Sequence, residues 1–200
     1  MPYRVLRREA AKLGFSLRMI RLTIAAYKLP RVIRVGEAIS DVVFAVRGIV
    51  AGSGNACSEM RLGMITILDT ALLEHPTVEP TLFVDDTSGE KDGEDEEEIV
   101  KELGGFTWKV IQLIRADGME VSATKSLVSA SNPSLGKALE DKLQAKQTEH
   151  ELKQQQSQQQ QHPDTLPSGL GTPTLPAGLG TATLPAVAVQ NRQNKGCLLY

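Results

Sequence analysis

Cysteine is nearly absent from the 200 residues: Cys57 and Cys197 are too few for a disulfide scaffold or a structural zinc site. Histidine is equally sparse, and His75, His150 and His162 fall in separate loop or tail stretches, which argues against histidine-based catalysis. No apolar run reaches the roughly 18–20 residues that a membrane-spanning helix requires, so a membrane partner is not expected. The opening Met1-Pro2-Tyr3-Arg4 carries no apolar signal core, so the expectation is a cytoplasmic or nuclear chain that is not secreted. Aromatics are few, and seven of the eight lie before residue 109, the last being Tyr200. A core can therefore be built only early in the chain. The expectation is a folded part over 1–135 and a disordered tail over 136–200.

Charge is segregated along the chain. Residues 1–47 carry ten Lys or Arg against Glu9, Glu37 and Asp41, a balance of +7. Residues 85–102 carry ten acids against Lys91 and Lys101, a balance of −8. The basic stretch suits a polyanion whose counterions are released on binding, or it is simply a solvated helix face. The acidic run Glu90-Lys-Asp-Gly-Glu-Asp-Glu-Glu-Glu98 reads as an exposed loop leading into a helix, whose dipole favours carboxylates in its first turn. It lacks the spacing of a calcium loop.

Apolar spacing places the elements. Leu6, Ala10 and Leu13 share one helical face that ends at Gly14. Ser16 can cap a second helix with Leu17, Ile20, Ile24 and Tyr27 on its stripe, closed by Pro30. Stretches 31–35 and 42–46 read as strands around a polar turn. Asn55 is placed to cap a third helix burying Cys57, Met60, Met64, Ile67, Leu68 and Ala71. A short strand, 81–84, ends in Asp85-Asp86. Ile99, Leu103, Phe106, Val110 and Leu113 mark a fourth helix, which Gly104-Gly105 could break at a cost of about 1 kcal/mol per Gly relative to Ala. Gly118 is a natural left-handed stop, followed by short strands at 119–121 and 127–128. Helices and short hairpin strands in this order predict an α+β fold. The tail holds a glutamine tract at 154–161 and Thr-Leu-Pro repeats of nine residues, which form neither a helix face nor a ladder.

One group carries chemistry. A strand delivering two carboxylates to its tip suits hard divalent cations, which take carboxylate oxygens and bridge substrate phosphates. Phe83-Val84-Asp85-Asp86 resembles the aromatic-x-Asp-Asp box of reverse transcriptases of the non-LTR retroelement type. Gly48-Ile-Val-Ala-Gly52-Ser53 is similar to that family's Gly-x-x-Gln-Gly-Ser turn, and Gly118-Met-Glu-Val-Ser122-Ala-Thr-Lys125-Ser126 is similar to its later Gly-Leu-x-x-Asn-x-x-Lys-Thr/Ser segment. Gly14-Phe15 with Leu17, Tyr27 and Arg31 resembles the stretch that precedes the Gly-Ser turn.

The resemblance covers roughly residues 4–131. It implies a partial polymerase palm, with helices packed on a small antiparallel sheet. Asp85 and Asp86 would be the catalytic and metal-binding carboxylates, with Mg2+ or Mn2+ as cofactor. Gly52, Ser53 and Lys125 would lie on the template and nucleotide side. RNA template, DNA primer and dNTP would be the partners. The family's first metal aspartate lies on a strand upstream of the helix near Arg4, and the family runs a return strand after Asp-Asp where this chain has its acidic run. The resemblance thus implies an N-terminally truncated RNA-directed DNA polymerase domain, lacking fingers and first Asp motif, with little or no activity alone. The alternatives are a non-catalytic nucleic-acid-binding module and an interaction protein acting through its tail.

Overall fold

Two short amphipathic helices begin the chain, for the reasons their spacing gives. The computed structural model describes residues 1–50, 52–84, 86–122, 126–160 and 196–199. Helix α1 (Tyr3–Lys12) buries Tyr3, Val5, Leu6, Glu9 and Ala10, and Gly14 at φ 70° turns the chain away. Helix α2 (Leu17–Tyr27) is capped by Ser16, whose hydroxyl accepts a hydrogen bond from the Met19 N–H, and it buries Ile20, Ile24 and Tyr27. Tyr3, Leu6, Ala10, Ile20, Ile24 and Tyr27 meet Leu62 of α3 (Ala56–Glu74) in one apolar cluster.

Between α2 and α3 the strands shrink to β1 (Arg34–Val35) and β2 (Ala38–Ile39), a hairpin turned at Gly36. The alternating stretch 42–46 forms no strand, and a single bridge joins Arg31 to Val43. Alternation marks a face only when a neighbouring strand and a core are there to receive it, and Val42, Phe44 and Val46 stay exposed.

A second and larger cluster holds the rest. Strands β3 (Glu79–Phe83) and β4 (Asp86–Asp92) form an antiparallel hairpin. Asp95 then caps α4 (Glu96–Ala116), accepting from the Glu97 N–H at 2.9 Å and the Glu98 N–H at 3.3 Å. Glu96, Glu97 and Glu98 fill its first turn, where the helix dipole favours them. Strand β5 (Val128–Ala130), helix α5 (Pro133–Gln160) and strand β6 (Gly196–Leu199) complete the fold. The sheet runs β3-β4-β6-β5 with every neighbouring pair antiparallel. Helix α4 packs on β4 and on helices α3 and α5. The architecture is α+β, as the sequence predicts.

Several expectations are corrected. The acidic run is not all loop, because Glu90, Lys91 and Asp92 pair within β4, so a return strand does follow Asp86. Cys57 is exposed, and α3 buries Glu59, Leu62 and Gly63 in addition to Met64, Ile67, Leu68 and Ala71, because it serves two clusters. Asn55 sits at the N-cap but makes no side-chain cap bond. No strand forms at 119–121, and the next strand occupies 128–130.

Gly104-Gly105 does not break α4. A methyl group at Gly105 would lie 2.2 Å from His75 Cε1, and one at Gly104 would lie 3.0 Å from Lys142 Cδ, so both glycines admit close neighbours. Finally, the folded part does not stop at 135. Leu135, Leu139 and Leu143 recur at every fourth position and bury one face of α5, and β6 pairs within the sheet. Residues 161–195, with all of the Thr-Leu-Pro repeats, lie outside the described residues.

Candidate functional site

The tip of the β3–β4 hairpin is where backbone chemistry and sequence disagree most. Phe83 pairs with Asp86, so the connection is the two residues between them. Two-residue hairpin loops need a positive φ at their first position and favour Asn, Asp or Gly there. The chain places Val84 in that position at φ 57°, the one non-glycine with positive φ among the described residues. A β-branched side chain in this region costs about 1–3 kcal/mol. Turn formation alone would not select valine, and the same tip carries Phe83, which is 73% exposed.

Asp86 opens β4 as an exposed residue. Asp85 and Lys125, the other charged residues singled out by the resemblance, lie outside the described residues. Among the described residues no group of three His, Cys, Asp or Glu side chains converges to hold a metal ion. With Asp85 outside the described residues, Asp86 is the one carboxylate of the pair that the structure places. No step through Mg2+ or Mn2+ is derived from it.

Gly52 and Ser53 form the turn entering α3. Gly52 adopts φ 81°, which glycine alone adopts without strain, and the Ser53 N–H donates to the Val50 carbonyl. The Ser53 hydroxyl accepts from the Asn55 N–H at 3.4 Å. No side-chain hydrogen bond or ion pair among the described residues joins this turn to Asp86. What the turn does meet is a buried polar pair absent from the sequence reading. The Tyr27 hydroxyl donates to Glu59 Oε2 at 2.6 Å, with Ser53 and the Val50 backbone beside the same oxygen. Burial first, and then the bond to Glu59, pushes the Tyr27 hydroxyl above the usual tyrosine range despite the opposing Ser53 and Val50 contacts. Glu59 is fully buried, and its Oε1 has no hydrogen-bond partner among the described residues. The sequence signal was a glutamate three residues before Leu62 on an apolar face.

Arginines divide into committed and free. Arg8 is held by Asp117 at 2.8 Å and by Glu9, Arg47 by Glu120, and Arg31 donates to the Tyr27 carbonyl. Arg7, Arg18 and Arg21 are exposed on α1 and α2 and make no hydrogen bond or ion pair among the described residues. They are free to meet phosphates. A shallow concavity between the first turn of α4 and α5 is lined by Asp95, Glu96, Glu97 and Glu98 together with Lys101 and Lys142. Among the described residues no helix is long and apolar enough to cross a membrane. No protein-family model, curated protein or solved structure matches the chain.

Proposed function

We propose that the chain carries a palm-like domain of reverse-transcriptase descent that grips nucleic acid through the arginines of α1 and α2 and by itself extends no primer. The observation that carries this reading is the hairpin tip. Phe83, Val84 and Asp86 flank a turn whose φ 57° valine is unfavourable for folding, so its composition answers to something other than stability. Two further features support the reading. A return strand follows Asp86, and the Gly52-Ser53 turn opens a 19-residue helix packed on the sheet's covering helix.

The test is fluorescence anisotropy of a labelled RNA–DNA primer–template across a salt series, with primer extension run in parallel. If Arg7, Arg18 and Arg21 each neutralise one phosphate, affinity falls about 40-fold between 50 and 200 mM salt. Replacing all three with Ala should flatten that slope. Salt-insensitive binding, or a slope that the triple variant leaves unchanged, refutes the interface. Template-dependent, divalent-cation-dependent extension that Asp86→Asn abolishes refutes the non-extending part.

A further inference from the structure

The ribbon between α2 and α3 has no neighbour. Every residue from 28 to 44 is exposed, and β1 and β2 form a two-stranded sheet that no third strand joins among the described residues. The ribbon is nonetheless held in shape. Arg31 and Val43 exchange backbone hydrogen bonds at 3.0 and 2.7 Å, the Ser40 N–H donates to the Ile33 carbonyl, and the Ser40 hydroxyl accepts from the Ile33 N–H. Nine large apolar side chains between Leu29 and Val46 are each 48% or more exposed. Their surface is on the order of 1,000 Å², where a monomer's apolar patches span a few hundred. A stable interface takes about 800 Å² from each partner.

The two edges of the ribbon differ. Residues 30–34 present Pro30, Arg31 and Arg34, residue types that keep strand edges from pairing. Residues 42–46, Val-Val-Phe-Ala-Val, carry no charge and no proline and have high strand preference, yet they form no strand for want of a neighbour. We propose that a second copy of this chain supplies that neighbour, the two 42–46 segments pairing antiparallel about a two-fold axis. Val43 turns its N–H and C=O toward Arg31, so those of Val42 and Phe44 face outward. Self-pairing through the outward groups sets Val42 against the second copy's Phe44 and puts Val43 on the axis. A β-branched residue facing an aromatic is a favourable cross-strand pair, and the two-fold makes it twice. Asp41, the one charge between 38 and 46, then lies about 14 Å from its copy, beyond the screening length of about 8 Å. The guarded edges remain outermost, so assembly closes at two. The proposal is independent of any nucleic-acid role.

The axis supplies the test. Opposed residues of a non-hydrogen-bonded pair on antiparallel strands have Cα atoms about 4.5 Å apart, within disulfide range. In the full-length chain carrying Cys57→Ser and Cys197→Ser, Val43→Cys should give a disulfide-linked dimer on brief oxidation, read on a non-reducing gel. Val32→Cys, equally exposed but on the guarded edge, should give at most about a tenth as much. Sedimentation velocity of the chain without any substitution, over about 1 to 100 µM, should show a monomer–dimer equilibrium. Phe44→Lys enters each dimer twice and should raise its Kd about tenfold or more. The unfolding midpoint of that variant should not move, because Phe44 is 65% exposed in the single chain.

Val46→Lys, at a position 81% exposed, repeats the measurement should Phe44→Lys disturb the fold. A chain that stays monomeric at about 100 µM overturns self-pairing, and flotation of that monomer with anionic vesicles would assign the ribbon to a lipid surface instead. A dimer that both lysine variants leave intact places the interface elsewhere and overturns it too. Equal disulfide from Val32→Cys and Val43→Cys reports collision, and growth beyond two copies refutes closure; either result sinks the proposal.

Discussion

Removing the Tyr27 hydroxyl should destabilise the protein out of proportion to the single oxygen lost. Glu59 is fully buried, and its one described donor is the Tyr27 O–H at 2.6 Å, its other oxygen having no partner among the described residues. Tyr27→Phe leaves the whole carboxyl without that donor. An unsatisfied buried group costs about 1–3 kcal/mol, and more if charged, so about 2–3 kcal/mol is expected. With a urea dependence of about 2 kcal/mol per M, the midpoint should fall by roughly 1–1.5 M. The second arm replaces Glu59 with Met, which keeps a straight helix-forming side chain and needs no donor. Tyr27→Phe in that background should cost less than about 0.5 kcal/mol, giving a coupling near 2 kcal/mol.

The same pair governs alkaline behaviour. Its folded-state pKa lies above the unfolded value of 10.0, so the stability this tyrosine contributes is complete below pH 10 and is lost as pH rises through the folded value. Tyr27→Phe should abolish that slope. A midpoint shift below about 0.25 M, or costs that simply add in the double variant, would refute the reasoning.

Two other perturbations test other parts of the fold. Val84→Gly should raise stability by about 1 kcal/mol, measured by denaturant midpoint, because it relieves a φ of 57° and gives up a side chain that is already more than one-third exposed. Glu9 is pushed up by burial, but hydrogen bonds from Thr66 at 2.6 Å and Arg8 at 2.5 Å, with the charges of Arg8 and Lys12, outweigh this and hold its carboxyl below 4.5. Its stabilisation is therefore complete above pH 4.5 and drains as pH falls through the lower folded value. Glu9→Gln should cost about 1–2 kcal/mol at neutral pH, discounted for the half-exposed Arg8, and should flatten the acid limb of an unfolding titration.

Helices α1, α2 and α4 were legible because each serves one core and repeats its apolar residues on one face. Helix α3 was legible as a helix but not in its burial, since contact with two clusters spreads buried positions around it and leaves Cys57 outside. Strand β4 was hidden by its composition. Asp-Thr-Ser-Gly-Glu-Lys-Asp has little strand preference, and its pairing is imposed by neighbours on both sides. Helix α5 was hidden because Leu135, Leu139 and Leu143 are diluted by polar residues that lead into a glutamine tract. At the candidate site, the hairpin tip and the Gly52-Ser53 turn could be read as local patterns. The Tyr27–Glu59 pair could not, because it joins positions 32 residues apart and exists only once α2 packs on α3.

Helix α3 is a wall shared by two rooms. Leu62 belongs to the cluster under α1 and α2, while Met64, Ile67, Leu68 and Ala71 belong to the cluster under the sheet. Neither cluster can melt without stripping one side of that helix, so the two cores have a common fate. The described fold should lose both in a single calorimetric transition whose van't Hoff and measured enthalpies agree. The slowest-exchanging amides should lie in the middle of α3, where both cores hold the same backbone.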